Sequence, residues 1–315
     1  MQLLENETLQ RMVDYSFGDH SGVLGGVPNA FMKKANVENS EFREVCKQSE
    51  IDRKKVVTLF IDNIRLYRRP LEYSDWLHMK PIKEGDKQWL AQFEDEDLLK
   101  LLGTHPYSGI KFVIFTAFED TPLDDYIWDK IPDNVTIWSA NGVIFGGKVH
   151  PFPHGIERKM YEGYNHHELL LNACTGVVEP KKALLVAHRT DTGNRKDIGS
   201  MFSDKEWATV THLPYEQYLQ AIQNHKFVLC PSGNGIESAR NWETLYLRRV
   251  PVFKDHPYLR EMFKDFPALF VNEWDEVTEQ LLLDNEHLYQ QAQQMDMNKL
   301  DLNTWYTIAR KYITN

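Results

Sequence analysis

The sequence predicts an α/β protein of two lobes, each built on an open parallel sheet covered by helices. Three observations carry that prediction. Short β-rich runs alternate with helical patterns along most of the chain, which is the signature of parallel strands joined by crossover helices. The runs are apolar enough to be strands buried between layers. A chain of 315 residues is also too long for one small core and suits two domains of ordinary size.

In chain order, strands are predicted at Val56–Ile61, Phe112–Phe115, Val135–Trp138, Leu184–Ala187, Lys226–Cys230, Val250–Phe253 and Ala268–Val271. Helical patterns are predicted at Asp95–Leu102, His166–Ala173, Tyr215–Gln223, Ile236–Leu247, Trp274–Leu283 and Asn303–Tyr312. Prolines, a glycine and a His-rich stretch from Pro151-Phe-Pro-His-Gly155 to about Pro180 separate two series of strands. The boundary predicted there gives an N-terminal domain over 1–160 and a C-terminal domain over 161–300. A closing helix over 301–315 is expected to pack back toward the first domain. In open parallel sheets ligands gather beyond the carboxyl ends of strands, so chemistry is sought in the loops after Ile61, Phe115, Ala187 and Cys230.

The formal charge of −10 leaves no global basic field for a nucleic-acid backbone or an anionic membrane. A small anionic ligand remains compatible, because a few arginines and backbone amides bind it locally. Three cysteines, Cys46, Cys174 and Cys230, are odd in number and far apart, which argues against a disulfide framework. The N-terminal Met1-Gln-Leu-Leu-Glu-Asn-Glu7 lacks the cationic start and apolar run of a signal peptide. No stretch approaches the ~18 apolar residues of a membrane span, so a cytoplasmic location is expected.

The most informative segment runs from Lys226 to Phe253: strand, glycine loop, helix, strand. Gly233 and Gly235 remove side chains where backbone turns or approaches a ligand, and the helix that follows opens with free N–H groups. Glu237, Arg240, Asn241 and Thr244 fall at helical spacing on one polar stripe. A bidentate phosphate contact suits Arg240, and Glu243 suits ribose hydroxyls. The plainer alternative is a tight turn followed by a solvated helix face with surface ion pairs.

The pattern Phe-x-Leu-Cys-Pro-x-Gly, then Ser238-x-Arg240-x-x-Glu243, then Val250-Pro-Val252, resembles the donor-binding region of the exostosin-like glycosyltransferases. The resemblance is strong over roughly 180 to 275 and persists more weakly around Phe115 to Gly155. It implies two Rossmann-like domains facing a central cleft, the GT-B architecture, with an N-terminal acceptor domain and a C-terminal nucleotide-sugar domain. It also implies donor contacts for Ser238, Arg240 and Glu243, and an inverting outcome. Some positions depart from the family pattern: Ser232 replaces a frequent basic residue, Thr244 a usual alanine, and Arg248-Arg249 a small residue or glycine.

The expected donor set also takes in Ser232, Gly233, Asn234 and Gly235 of the glycine loop, and Arg189 and Arg195 in the polar loop after Ala187. Both arginines are equally compatible with surface pairing to Asp191 or Asp197. Inverting transfer needs a general base, for which Glu119, Asp120 and Asp62 are candidates at strand ends, unless each merely caps a helix. Arg65 and His154 are candidate acceptor contacts, and Tyr126, Trp128 and Tyr164 the best stacking candidates. His150, His154, His166 and His167 match no usual zinc spacing. Asp95-Glu-Asp97 spells a metal-binding acidic triplet but opens a helix rather than following a strand. No metal and no cofactor are therefore expected, with a nucleotide-sugar donor and a carbohydrate acceptor as partners. A non-catalytic nucleotide-sugar or glycan-binding module, or a sugar epimerase on the same anion loop, are the other readings.

Overall fold

The computed structural model describes residues 3–4, 9, 12–17, 56–61, 98–104, 107–116, 125–140, 147–156, 166–176, 178–190, 195–233 and 235–313. The chain divides into two units. One comprises Asn6–Pro153 with Asn303–Asn315, the other Met1–Glu5 with His154–Leu302.

The unit built from Asn6–Pro153 holds strands β1 (Tyr15–Phe17), β2 (Val56–Ile61), β3 (Lys111–Thr116), β4 (Val135–Ser139) and β5 (Val149–Pro151), all parallel and in sequence order. Residues 112–116 of β3 and all of β4 are buried, as a sheet covered on both faces requires. Helix α1 (Leu98–Leu102) is fastened through Asn134, whose Nδ2 donates to Leu102 O and Ile110 O at 3.0 and 2.9 Å. Asp95–Asp97, the acidic triplet, lies outside the described residues.

The last helix of the chain, α8 (Leu302–Tyr312), lies mostly in this unit. Its aromatic residues meet side chains that share one face of the sheet, because Phe115 pairs with Trp138 and Trp138 with His150. Tyr306 stacks on Phe115 at 5.6 Å and donates its hydroxyl to Met12 O, while Tyr312 meets His150 edge-on at 4.2 Å.

The other unit holds helix α2 (His166–Cys174), β6 (Lys182–Val186), β7 (Ala208–Val210), α3 (Tyr215–Gln223), β8 (His225–Leu229), α4 (Ala239–Tyr246) and β9 (Val250–Lys254). It continues through α5 (Pro257–Met262), β10 (Leu269–Val271), α6 (Glu279–Asp284) and α7 (Glu286–Gln294). Its parallel strands lie in the order β7-β6-β8-β9-β10. Leu184, Val186, Phe227, Leu229, Val250 and Val252 line its core. The order reverses between β6 and β8: the chain first steps to β7 on one side, then crosses to build the other.

Two predicted boundaries shift for local reasons. The pattern over 236–247 yields a helix only from Ala239, because Ser238 is extended at φ −144° and stands as N-cap. The pattern over 274–283 breaks at Val277: a single turn at Trp274–Glu276 is followed by α6, whose N-cap Thr278 accepts from Leu281 N at 3.1 Å. Both are cases of a side chain or extended backbone ending helical periodicity.

The end of α4 explains Arg248-Arg249. Arg248 N donates to Leu245 O and Arg249 N to Thr244 O, a Schellman closure with Arg248 in the left-handed region at φ 56° where glycine is usual. Arg248 is held there by its Nη1, which donates to Gln293 O and Met295 O, and by Gln293 Nε2, which donates to Arg248 O. Arg248→Ala keeps the backbone strain and loses the side-chain bonds, so it is expected to cost about 1–2 kcal/mol. Arg248→Gly relieves the strain and should recover about 1 kcal/mol of that loss. Urea midpoints of the two variants measure the difference; an alanine variant as stable as the glycine one contradicts it.

Candidate functional site

The reversal of strand order between β6 and β8 makes a topological switch point at their carboxyl ends, the usual ligand position in a sheet of this order. Two loops meet there: Ala187-His188-Arg189 after β6, and Cys230-Pro231-Ser232-Gly233 after β8. Arg195 ties them together. It is 5% exposed, and its Nε donates to Ser232 O and its Nη2 to Pro231 O, both at 2.7 Å. A Cβ on Gly233 would come within 2.9 Å of that Nη2, so a larger residue here would have to displace the arginine packed against it. Arg195 therefore shapes the glycine loop by holding its carbonyls. Within the loop, Ser232 Oγ donates to Ile236 O and Gly233 N to Gly235 O.

The polar residues around the start of α4 divide into a structural and an unsatisfied group. Glu237 precedes the helix and is 3% exposed, so it belongs to no solvated stripe. Its Oε1 accepts from His154 N at 2.6 Å and from Trp242 Nε1, and its Oε2 accepts from Tyr258 OH at 2.6 Å. Trp242 and Tyr258 are fully buried, and Trp242 packs on Phe263 with ring centroids 5.0 Å apart. Glu243 is also buried, and accepts from Tyr215 OH at 2.9 Å and Tyr218 OH at 3.1 Å. Burial and the Glu243 carboxylate push the Tyr218 hydroxyl well above its usual pKa, so it stays a donor. Asn241 Oδ1 accepts from Ser238 N at 2.5 Å, and Thr244 Oγ1 donates to Arg240 O at 2.7 Å.

Ser238 Oγ faces Asn241 N, the other half of a reciprocal capping box at the start of α4. Against these groups stand Arg240 Nε, Arg240 Nη1 and His188 Nδ1, three buried atoms with no hydrogen-bond partner among the described residues. Buried polar atoms are nearly always hydrogen-bonded, and leaving one unsatisfied costs about 1–3 kcal/mol. A guanidinium and a hydroxyl at the first turn of a helix suit an anion with several acceptor oxygens. His188 is 7% exposed; burial first, and then the Arg240 charge, bring its pKa down to about 4. Its ring is neutral at pH 7.

The predicted residues land unevenly. Ser232, Gly233, Gly235, Ser238, Arg240 and Glu243 share the β8–α4 segment, with Arg195 behind it and Arg189 exposed at the end of β6. His154 meets Glu237 through its main-chain N–H. Glu119, Asp120, Asp62, Arg65, Asn234 and Tyr164 lie outside the described residues. Trp128 is 37% exposed. Among the histidines, His150 packs against Trp138 and Tyr312, and His166 stacks on Tyr215 at 3.7 Å. Among the described residues no group of His, Cys, Asp and Glu is arranged to hold a metal ion, and no helix is long and apolar enough to cross a membrane.

Sequence reasoning missed His188 and the structural use of Glu237. Nothing local marks either one, because Glu237 is satisfied by residues 154, 242 and 258, and Arg195 bridges to carbonyls 36 and 37 residues away.

A comparison with curated proteins finds no match. Residues 185–315, from β6 to the end of the chain, match the family model described as the RXYLT1 C-terminal domain, a xylosyltransferase family related to the exostosin-like glycosyltransferases.

Proposed function

We propose that the chain is a glycosyltransferase that moves a sugar from a nucleoside diphosphate donor to a carbohydrate acceptor, with inversion and without a metal ion or other cofactor. The observation that carries the reading is the pair of buried, unsatisfied guanidinium nitrogens of Arg240, Nε and Nη1, beside the β6–β8 switch point. The match of residues 185–315 to a glycosyltransferase family supports it independently.

In this reading the diphosphate lies against Arg240, Ser238 and the first turn of α4, with Arg189 as a second cation. As the bond from the anomeric carbon to the diphosphate oxygen breaks, negative charge grows on the leaving group, and Arg240 stabilises it in a water-poor site. An acceptor hydroxyl attacks the opposite face of that carbon and gives its proton to a carboxylate, for which Glu119, Asp120 and Asp62 are the candidates. Arg65 and His154 are the proposed acceptor contacts. Arg195 takes a positioning role, since its guanidinium already holds the donor loop.

The test is release of nucleoside diphosphate from UDP-, GDP- and CDP-sugars in EDTA, with and without oligosaccharide acceptors. Acceptor-dependent release is expected, and one of Glu119→Gln, Asp120→Asn or Asp62→Asn should lower kcat about a hundredfold or more with little change in donor KM. Nucleotide binding without any turnover would instead mark a binding module.

A further inference from the structure

We infer that His188 is a specificity residue of the donor site, whose bare Nδ1 accepts a hydrogen bond from a sugar hydroxyl of the nucleotide-sugar. The inference rests on the nucleotide-site reading above and extends it to a residue that neither the sequence motif nor the catalytic proposal uses.

The argument begins with which ring nitrogen carries hydrogen. His188 Nε2 lies 3.4 Å from Arg195 O, a carbonyl that can only accept. Nε2 therefore carries the proton, and a neutral imidazole has only one. That leaves Nδ1 as a lone pair, and it is buried with no partner among the described residues. Protonating Nδ1 is opposed by burial and by the charges of Arg240 and Arg195.

The ligand atom that satisfies such a nitrogen is a donor. Phosphate oxygens are excluded, since they present only lone pairs at neutral pH, so Nδ1 and the neighbouring Arg240 read different parts of one molecule. Arg240 takes the diphosphate and His188 takes a group beside it. In a nucleotide-sugar the groups that flank a diphosphate on its two sides are the ribose and the transferred sugar, and both present hydroxyls. The base is one ribose further away.

Position supports the same conclusion. His188 is the second residue past β6, on the opposite side of the strand reversal from the glycine loop. Arg195 accepts from His188 through its carbonyl and grips Pro231 and Ser232 through its guanidinium, so one residue fixes both the imidazole and the donor loop. A lone pair held this way discriminates strongly, because a ligand lacking the matching hydroxyl leaves a buried acceptor unpaired.

The test uses the full chain and calorimetric titration with whichever of UDP, GDP and CDP binds best, its 2′-deoxy and 3′-deoxy forms, and its sugar conjugates. His188→Phe is expected to bind about tenfold or more weakly, while His188→Asn, which returns an acceptor oxygen near Nδ1, stays within about threefold of the parent. If the hydroxyl is on the ribose, the loss is present with the free nucleoside diphosphate and one deoxy form shows no further loss in His188→Phe. If it is on the transferred sugar, the loss appears only with the sugar conjugates. Equal binding by the parent and His188→Phe to every probe overturns the inference, as does an asparagine variant no better than phenylalanine. Long-range proton–nitrogen NMR of the unsubstituted protein checks the tautomer without any variant: hydrogen on Nε2 is expected, and hydrogen on Nδ1 overturns the assignment. If the parent chain binds none of the nucleotides, the nucleotide-site reading fails first and this inference falls with it.

Discussion

Arg240→Ala is expected to weaken nucleoside diphosphate binding about a hundredfold or more while leaving the ligand-free protein as stable as the parent, or slightly more stable. The two halves of that expectation come from one observation. Arg240 Nε and Nη1 are buried and hydrogen-bonded to nothing among the described residues. A donor pair without acceptors contributes little to the folded state, and removing it takes away a desolvation cost. The same pair offers two charge-assisted bonds to a phosphate, each worth roughly 1.5–3 kcal/mol, so its loss falls on binding. Titration calorimetry and thermal unfolding of the variant measure both halves. A large drop in stability with unchanged affinity would assign Arg240 to the scaffold.

Glu237→Ala is expected to do the opposite, with a loss of about 3–5 kcal/mol of stability that appears before any ligand is added. The substitution strands the His154 amide, the Trp242 indole N–H and the Tyr258 hydroxyl, all of which converge on this one carboxyl. Trp242 and Tyr258 are fully buried, so water does not replace the lost acceptor without opening the core. In a unit of this size such a loss lowers the midpoint of thermal unfolding by about 10 °C. Glu237→Gln keeps one acceptor oxygen for the two N–H donors and lets the Tyr258 hydroxyl accept from the new amide, so roughly half the loss should be recovered. A midpoint within about 2 °C of the parent for Glu237→Ala would show that the three donors find other partners.

Glu237 and Arg240 stand three positions apart as charged residues of one polar stripe, yet the carboxyl is satisfied and the guanidinium Nε and Nη1 are not, which marks where sequence reading reached its limit. Glycine, a polar first turn and flanking apolar strands are local features, and they mark the glycine loop and the start of α4 in the sequence. Whether a buried polar residue is satisfied depends on partners from distant segments, and no spacing rule reports them. The same division holds for the fold. Strands β2, β3, β4, β6, β8 and β9 were legible because each is a run of five or six residues dominated by apolar side chains, and the three-residue β10 because Ala268–Val271 is unbroken apolar sequence. Strands β1, β5 and β7 have three residues each, too short to show a period, and they complete sheets whose pairing partner is elsewhere in the chain.

Helix α7 was missed for a related reason. Four of its nine residues are glutamine and only Tyr289 and Ala292 are buried, so the apolar stripe that normally marks a helix is nearly absent. The reversal of strand order between β6 and β8 was not legible at all, since order in a sheet is a property of pairing. That reversal brings the ends of β6 and β8 together, where Arg195 holds the glycine loop.

The most direct test of the central claim is calorimetric titration of the full chain with UDP, GDP and CDP in the presence of EDTA. Saturable binding of one of them at a single site, unchanged when EDTA is omitted, is the predicted result. Folded protein that takes up none of the three, with or without divalent metal, would contradict the claim that the β6–β8 switch point is a nucleoside-diphosphate site.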